Sequence, residues 1–197
     1  MARAVYPHFD ILEAGTPLVL EEGLAALEAL REACPGKRYL ADLKIMDAGR
    51  LEASSGFRRG ADIVTVLGAA DDRTVRGALE AASEHGCELM ADLINVADPA
   101  RRARELSAMG VQMLCIHTAH DVWESGGSPL RELEKVRVVT AALLAVAGGL
   151  TLASVGPAAA AGADILVVGS AITGARDPRA AARELLERMG RGGEATE

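Results

Sequence analysis

The clearest capacity for chemistry in this chain lies in one run, Ala41-Asp42-Leu43-Lys44-Ile45-Met46-Asp47-Ala48-Gly49. Its apolar flanks predict a β-strand, on which residues two apart face the same side. Asp42 and Lys44 then point together, and Asp47 lies in the loop beyond. A lysine set between two carboxylates keeps its proton, because nearby opposite charge favours the charged form. Such a fixed cation can stabilise an enolate-type oxyanion, and a neighbouring carboxylate can hold a divalent metal. By itself, an Asp-x-Lys at a strand end reads equally well as a solvated ion pair, so the surroundings decide.

Further candidates end other apolar runs. Glu13 follows the first of them, and His117 closes Met113 to His117. Imidazole changes protonation near neutral pH and can take up and return a proton, although a lone histidine on an apolar strand can equally be a packed core residue. His120 follows in the next loop. Asp92, near the end of Glu88 to Leu93, reads as a substrate ligand, a strand-end carboxylate or a cap. Gly148-Gly149 and Gly169-Ser170 close the last two runs, where glycine lets the main chain approach an anion and the start of a helix offers free N–H groups. Either pair alone is merely a turn. Together, one structural unit apart, they suggest a phosphate site.

The elements that must carry these residues follow from periodicity. Strand-like runs, Phe9 to Leu12, Tyr39 to Leu43, Ile63 to Leu67, Glu88 to Leu93, Met113 to His117, Leu143 to Ala147 and Ile165 to Val168, alternate with helical patterns. Helices are predicted over Glu22 to Ala33, Arg73 to His85, Pro99 to Met109, Leu152 to Ala161 and Asp177 to Met189. Asp98-Pro99 and Asp177-Pro178 read as caps with proline opening the helix. Strands begin about 22 to 30 residues apart, the length of one strand, one crossover helix and two loops. Such repetition builds a parallel sheet covered by helices. Polar or glycine signals end nearly every strand, as in a (β/α) barrel, whereas an open doubly wound sheet would concentrate them at one switch point. The expectation is therefore a TIM-type barrel domain over residues 1–190, followed by a polar tail, 191–197.

Composition narrows the function. Half of the 197 residues are hydrophobic, enough for one substantial core without a metal or disulfide staple. Only 3% are aromatic, so alanine and the branched aliphatics must fill that core. A net charge of −7 argues against a nucleic-acid clamp. Cys34, Cys87 and Cys115 form no paired motif and read as buried free thiols of a reducing compartment. With neither a secretory leader nor a run of 18 apolar residues, a soluble cytoplasmic protein without membrane partners is expected.

Asp42-Leu43-Lys44-Ile45-Met46-Asp47-Ala48-Gly49 resembles the DxKxxDAG motif of the orotidine-monophosphate decarboxylase superfamily, and its Leu-Lys-x-Met-Asp-Ala-Gly form is similar to the 3-hexulose-6-phosphate synthases within it. The likeness extends in order through residues 10–18, 92–96, 116–121, 146–149 and 167–175. It implies a phosphate-binding (β/α)8 barrel that forms a homodimer with shared active sites. It implies a Mg²⁺-dependent aldol addition of formaldehyde to D-ribulose 5-phosphate, giving D-arabino-hex-3-ulose 6-phosphate. By position, Glu13 and Asp42 would bind Mg²⁺, Lys44 would stabilise an enediolate, and Asp47 would orient that lysine and the substrate, reaching across to the partner's site. His117 would transfer the proton, and Gly148, Gly149, Gly169 and Ser170 would hold phosphate.

The family pattern begins with a strand and helix that have no counterpart here. A barrel lacking its first strand and most of its first helix is therefore expected. His120 stands where the sibling decarboxylases of 3-keto-L-gulonate 6-phosphate carry arginine; this, with Leu43 and Met46, favours the aldolase over the decarboxylase. A third possibility is a non-catalytic sugar-phosphate-binding protein. Against it stands the joint retention of Glu13, Asp42, Lys44, Asp47 and His117, which a scaffold does not need.

Overall fold

Seven strands, each joined to the next through helical segments, set the architecture: β1 (Ile11–Ala14), β2 (Arg38–Ile45), β3 (Ile63–Leu67), β4 (Glu88–Asp92), β5 (Met113–His117), β6 (Leu143–Ala147) and β7 (Ile165–Leu166). All six pairings are parallel and run in chain order, β1 to β7. The computed structural model describes residues 1–124 and 129–190; the polar tail, 191–197, lies outside them. A short helix α1 (Ala2–Val5) and a 3-10 turn (Tyr6–His8) lead into β1. The helices α2 (Thr16–Glu22), α3 (Ala25–Ala33), α4 (Gly49–Arg58), α5 (Asp72–His85) and α6 (Pro99–Met109) follow, then α7 (His120–Glu124), α8 (Leu130–Arg137), α9 (Val155–Ala160), α10 (Ser170–Thr173) and α11 (Pro178–Arg188). None of them is long and apolar enough to cross a membrane.

The period of two along each strand sorts its side chains into two layers. Tyr39, Ala41, Val64, Val66, Leu89, Ala91, Leu114, Ile116, Leu144 and Val146 join the large cluster shared with the helices. Their alternates, Leu40, Ile63, Met90, Met113, Cys115, Ala145 and Ala147, form a second cluster with Ile11, Ile165 and Val167. Residues from every strand region thus meet in one interior, so the sheet is curled as a barrel and the helices wrap its outside. Higher in this interior the apolar series gives way to Glu13, Asp42, Lys44, Thr65, Asp92 and His117, all at or near the C-terminal strand ends, where such barrels place their chemistry.

Three strands match the sequence-based expectation at both ends, and Asp98 and Asp177 cap α6 and α11 by accepting backbone N–H bonds. Two differences have local causes. Gly23, at φ +65°, breaks the single helix expected over Glu22 to Ala33, leaving α2 and α3 on either side. The first strand starts at Ile11 rather than Phe9 because Pro7 sits in the 3-10 turn.

Close backbone packing fixes the helix that follows the Asp42–Gly49 run. A Cβ at Gly49 would sit 1.9 Å from the carbonyl oxygen of Thr74, on the main chain of α5, where no side chain can yield. Gly49→Ala is therefore expected to destabilise the fold by about 2 kcal/mol or more, despite alanine's better helix propensity. A lowered urea midpoint with an unchanged slope would verify it; an unchanged midpoint would contradict the close α4–α5 contact.

Candidate active site

The polar tier of the interior opens into a cavity of about 340 Å³. Its walls include Glu13, Asp42, Lys44, Asp92 and His117 together with His120, Gly148, Gly149, Gly169 and Ser170. Ten of the eleven site residues expected from the sequence therefore share one cavity. Asp47 does not line it: its side chain is exposed and turns back to accept the N–H of Ala48 at 2.7 Å.

Lys44 is the centre of the polar network. Its ammonium lies 2.8 Å from Asp92 Oδ2 and 3.0 and 3.1 Å from the two oxygens of Asp42. Burial alone would lower its pKa, but the charge and hydrogen bonds of Asp92 and Asp42 outweigh that and raise it, so the site carries a permanent cation. The same contacts act on Asp92 in reverse. Burial would raise the pKa of this 2%-exposed carboxyl, yet hydrogen bonds and charge from His117 and Lys44 hold it below the ordinary carboxylate value.

His117 Nδ1 is 2.8 Å from Asp92 Oδ2. An ionised carboxylate can only accept, which assigns the proton of neutral imidazole to Nδ1 and leaves Nε2 with its lone pair. Asp92 Oδ1 accepts the N–H of Ile94 at 2.9 Å, so one carboxylate aims the lysine, the histidine and the turn beyond β4. The sequence reading left Asp92 open between substrate ligand, strand-end carboxylate and cap. In the fold it is the hub, a role that no spacing in the sequence discloses.

Two threonines went unnoticed in the sequence. Thr65 on β3 donates to Asp42 Oδ1 at 2.8 Å and accepts the backbone N–H of Lys44 at 2.9 Å. Thr16, in the first turn of α2, donates to Asp42 Oδ2 at 2.7 Å. Lys44 itself has φ +47°, in the left-handed region, and the β2–β3 register shifts between Ala41 and Ile45. The strand is thus bulged at the Asp42–Gly49 motif, and the Thr65 hydroxyl clasps both sides of the bulge. In β-strand sequences a threonine signals only propensity; its role here depends on register.

Just beyond β6, Gly148 has φ +93°, and a Cβ there would meet the carbonyl oxygen of Thr118 at 2.0 Å, so only glycine fits. A Cβ on Gly169 would meet nothing within 4 Å, leaving open room where the chain turns into α10. These glycines offer main chain, while Asp42, Lys44, Asp92 and His117 offer charge and a titratable ring.

The site is thus a lysine held between Asp42 and Asp92 inside a parallel barrel, with His117 on Asp92. The chain belongs to the orotidine 5'-phosphate decarboxylase / HUMPS family, whose sequence model matches residues 1–185. It is 44% identical over 186 residues to a 3-hexulose-6-phosphate synthase of Methylomonas aminofaciens, covering 94% of this chain and 89% of the relative. It is likewise 44% identical to the Mycobacterium gastri enzyme of that name, over 94% of this chain and 89% of the relative. Among solved structures, 3-hexulose-6-phosphate synthase from Salmonella typhimurium superposes with a TM-score of 0.94 at 40% identity, covering 97% of this chain and 91% of the other. KGPDC from Streptococcus mutans, solved as a ligand complex, superposes with a TM-score of 0.90 at 26% identity, over 98% and 91% respectively.

Glu13 titrates unlike an ordinary glutamate. Burial first, then the negative charge of Asp42, push its pKa up to about 7 against the opposing pull of Lys44 and His117. Since the folded value lies above the ordinary 4.5, the folded chain holds the extra proton between these values, and metal-free stability falls as pH rises from about 4.5 to about 7. Glu13→Gln removes this penalty. In chelator-treated protein the variant's melting temperature is expected to exceed the parent's at pH 8 and to converge with it at pH 5. Equal melting temperatures at both pH values would show that Glu13 titrates normally.

Proposed function

We propose that this chain is a 3-hexulose-6-phosphate synthase, an aldehyde-lyase that joins formaldehyde to D-ribulose 5-phosphate and forms D-arabino-hex-3-ulose 6-phosphate. The observation that carries this reading is the Lys44 ammonium clamped by Asp42 and Asp92, with His117 on the same Asp92 oxygen. It is supported by identities of 40–44% to relatives bearing that name.

The chemistry follows from these groups. His117 Nε2 accepts a proton from C1 of the pentulose phosphate. Negative charge then develops on the enediolate oxygens, opposite the fixed Lys44 cation. C1 attacks the formaldehyde carbon, and the resulting alkoxide takes its proton back from His117. Asp92 holds the imidazole in the tautomer with a proton on Nδ1 and shares its charge with the lysine. Gly148, Gly149, Gly169 and Ser170 bind the phosphate through the main chain, and His120 lines the same cavity.

Glu13 and Asp42 would hold Mg²⁺. Glu13 suits this because its shift comes from burial and from Asp42, with no hydrogen bond offsetting it among the described residues, and a hard divalent cation relieves such a carboxylate pair. When bound, the ion supplies additional positive charge for substrate oxygens. The exposed Asp47 goes with a homodimer in which this loop serves the partner's cavity, and half-exposed Met46 beside it is available for the same contact.

The decarboxylase of 3-keto-L-gulonate 6-phosphate would use the same lysine and enediolate, and the KGPDC structures keep that reading in view at lower identity. Consumption of formaldehyde separates the two. Purified protein is expected to remove formaldehyde only when ribulose 5-phosphate and Mg²⁺ are both present. Lys44→Ala should lower the rate by at least about 10³-fold, and a chelator should abolish it. A folded protein that consumes no formaldehyde but releases CO₂ from the keto-gulonate ester would replace the aldolase with the decarboxylase.

A further inference from the structure

Cys115 has no part in the aldol chemistry, yet its thiol lines the cavity. It sits on β5 two residues before His117, so both face inward, and its register partner on β4 is Asp92. One donor atom from each of Asp92, Cys115 and His117 falls within 4.8 Å of the others. Cys115 is 4% exposed, and its sulfur has no hydrogen-bond partner among the described residues. An oxygen, a nitrogen and a sulfur donor are thus held on two adjacent strands, close enough to share one ion, and all three residues line the cavity. This donor set suits a borderline or soft divalent cation, whereas Glu13 and Asp42 offer oxygen alone.

We propose that Asp92, Cys115 and His117 form a second metal site, selective for a thiophilic divalent cation of the Zn²⁺ type, and that its occupation switches the enzyme off. In a tetrahedral zinc site neighbouring N and O donors stand about 3.3 Å apart, so the 2.8 Å His117–Asp92 contact needs to widen by only about half an ångström. Coordination displaces the proton of the Cys115 thiol to solvent and moves the single ring proton of His117 from Nδ1 to Nε2, so that the imidazole binds as the neutral ligand. The Lys44 ammonium must then leave Asp92 and keep only Asp42. The ion thereby takes the proton acceptor and one of the two anchors of the catalytic cation at once. Binding stands independently of the aldolase assignment; inhibition rests on it.

The test uses the whole protein with Co²⁺ and Zn²⁺ as probes. Co²⁺ added to the parent protein is expected to give a sulfur-to-cobalt charge-transfer absorption in the near ultraviolet, which Zn²⁺ abolishes and excess Mg²⁺ does not. Cys115→Ser should lack the band and bind Zn²⁺ at least about tenfold more weakly. Its Mg²⁺-supported turnover should be retained and at least about tenfold less sensitive to Zn²⁺. Cobalt bound without a sulfur band overturns the site, and this spectrum of the parent decides the matter even should the variant fold poorly. Zinc that binds through Cys115 but leaves turnover unchanged overturns the switch alone. A protein that shows the band and has no aldolase activity would keep the metal site and remove the functional assignment.

Discussion

An ammonium withdrawn from water must be met by negative charge and hydrogen bonds, and the upper tier of this barrel is arranged to meet that demand at Lys44. Two carboxylates face it from β2 and β4, and each of their four oxygens has a hydrogen-bond partner. Asp42 is satisfied by Thr65 and Thr16, and Asp92 by His117 and the Ile94 N–H. Because these partners come from β3, β4, β5 and α2, the position of one nitrogen atom depends on four elements being in register. The cation is the reason the polar network is closed, and the network is the reason the cation is fixed.

Holding that position distorts the backbone. A lysine in the left-handed region is unfavourable by about 1–2 kcal/mol relative to ordinary strand geometry. The Thr65 hydroxyl offsets part of this by accepting the Lys44 N–H that the bulge withdraws from the ladder. The distortion also aims the chain after it. Ile45 returns to the outer apolar layer, and Met46 and Asp47 emerge on the surface. One kink thus turns the cation inward and sends the next acid of the same motif outward.

Much of the fold was legible because the strands are full apolar runs bounded by glycine and polar residues. β3, β5 and β6 are read at their true ends for that reason, and in the fold Gly60, Gly110 and Gly162 take positive φ where helices hand over to strands. The helix α4 went unread because Gly49, Ser54, Ser55 and Gly56 dilute its apolar period; it is held by backbone contact with α5. In the site, residues that end strands were visible, since a charge or a histidine after an apolar run stands out. Thr65, Thr16 and the thiol of Cys115 were not: each has a residue type at home in a core, and only cross-strand register gives it a partner. Asp92 was seen without its centrality for the same reason.

The strand order has a further consequence, in the time domain. Every paired strand neighbours its successor in the chain, so each new unit closes only a short loop and finds its partner already made. Contacts of this kind accumulate as a chain lengthens during synthesis. The charged residues of the cavity wall, Glu13 to His117, are encoded before its glycine stretch at Gly148 to Ser170. A nascent chain can therefore hold its buried cation in place before the glycines that complete the cavity wall have been made.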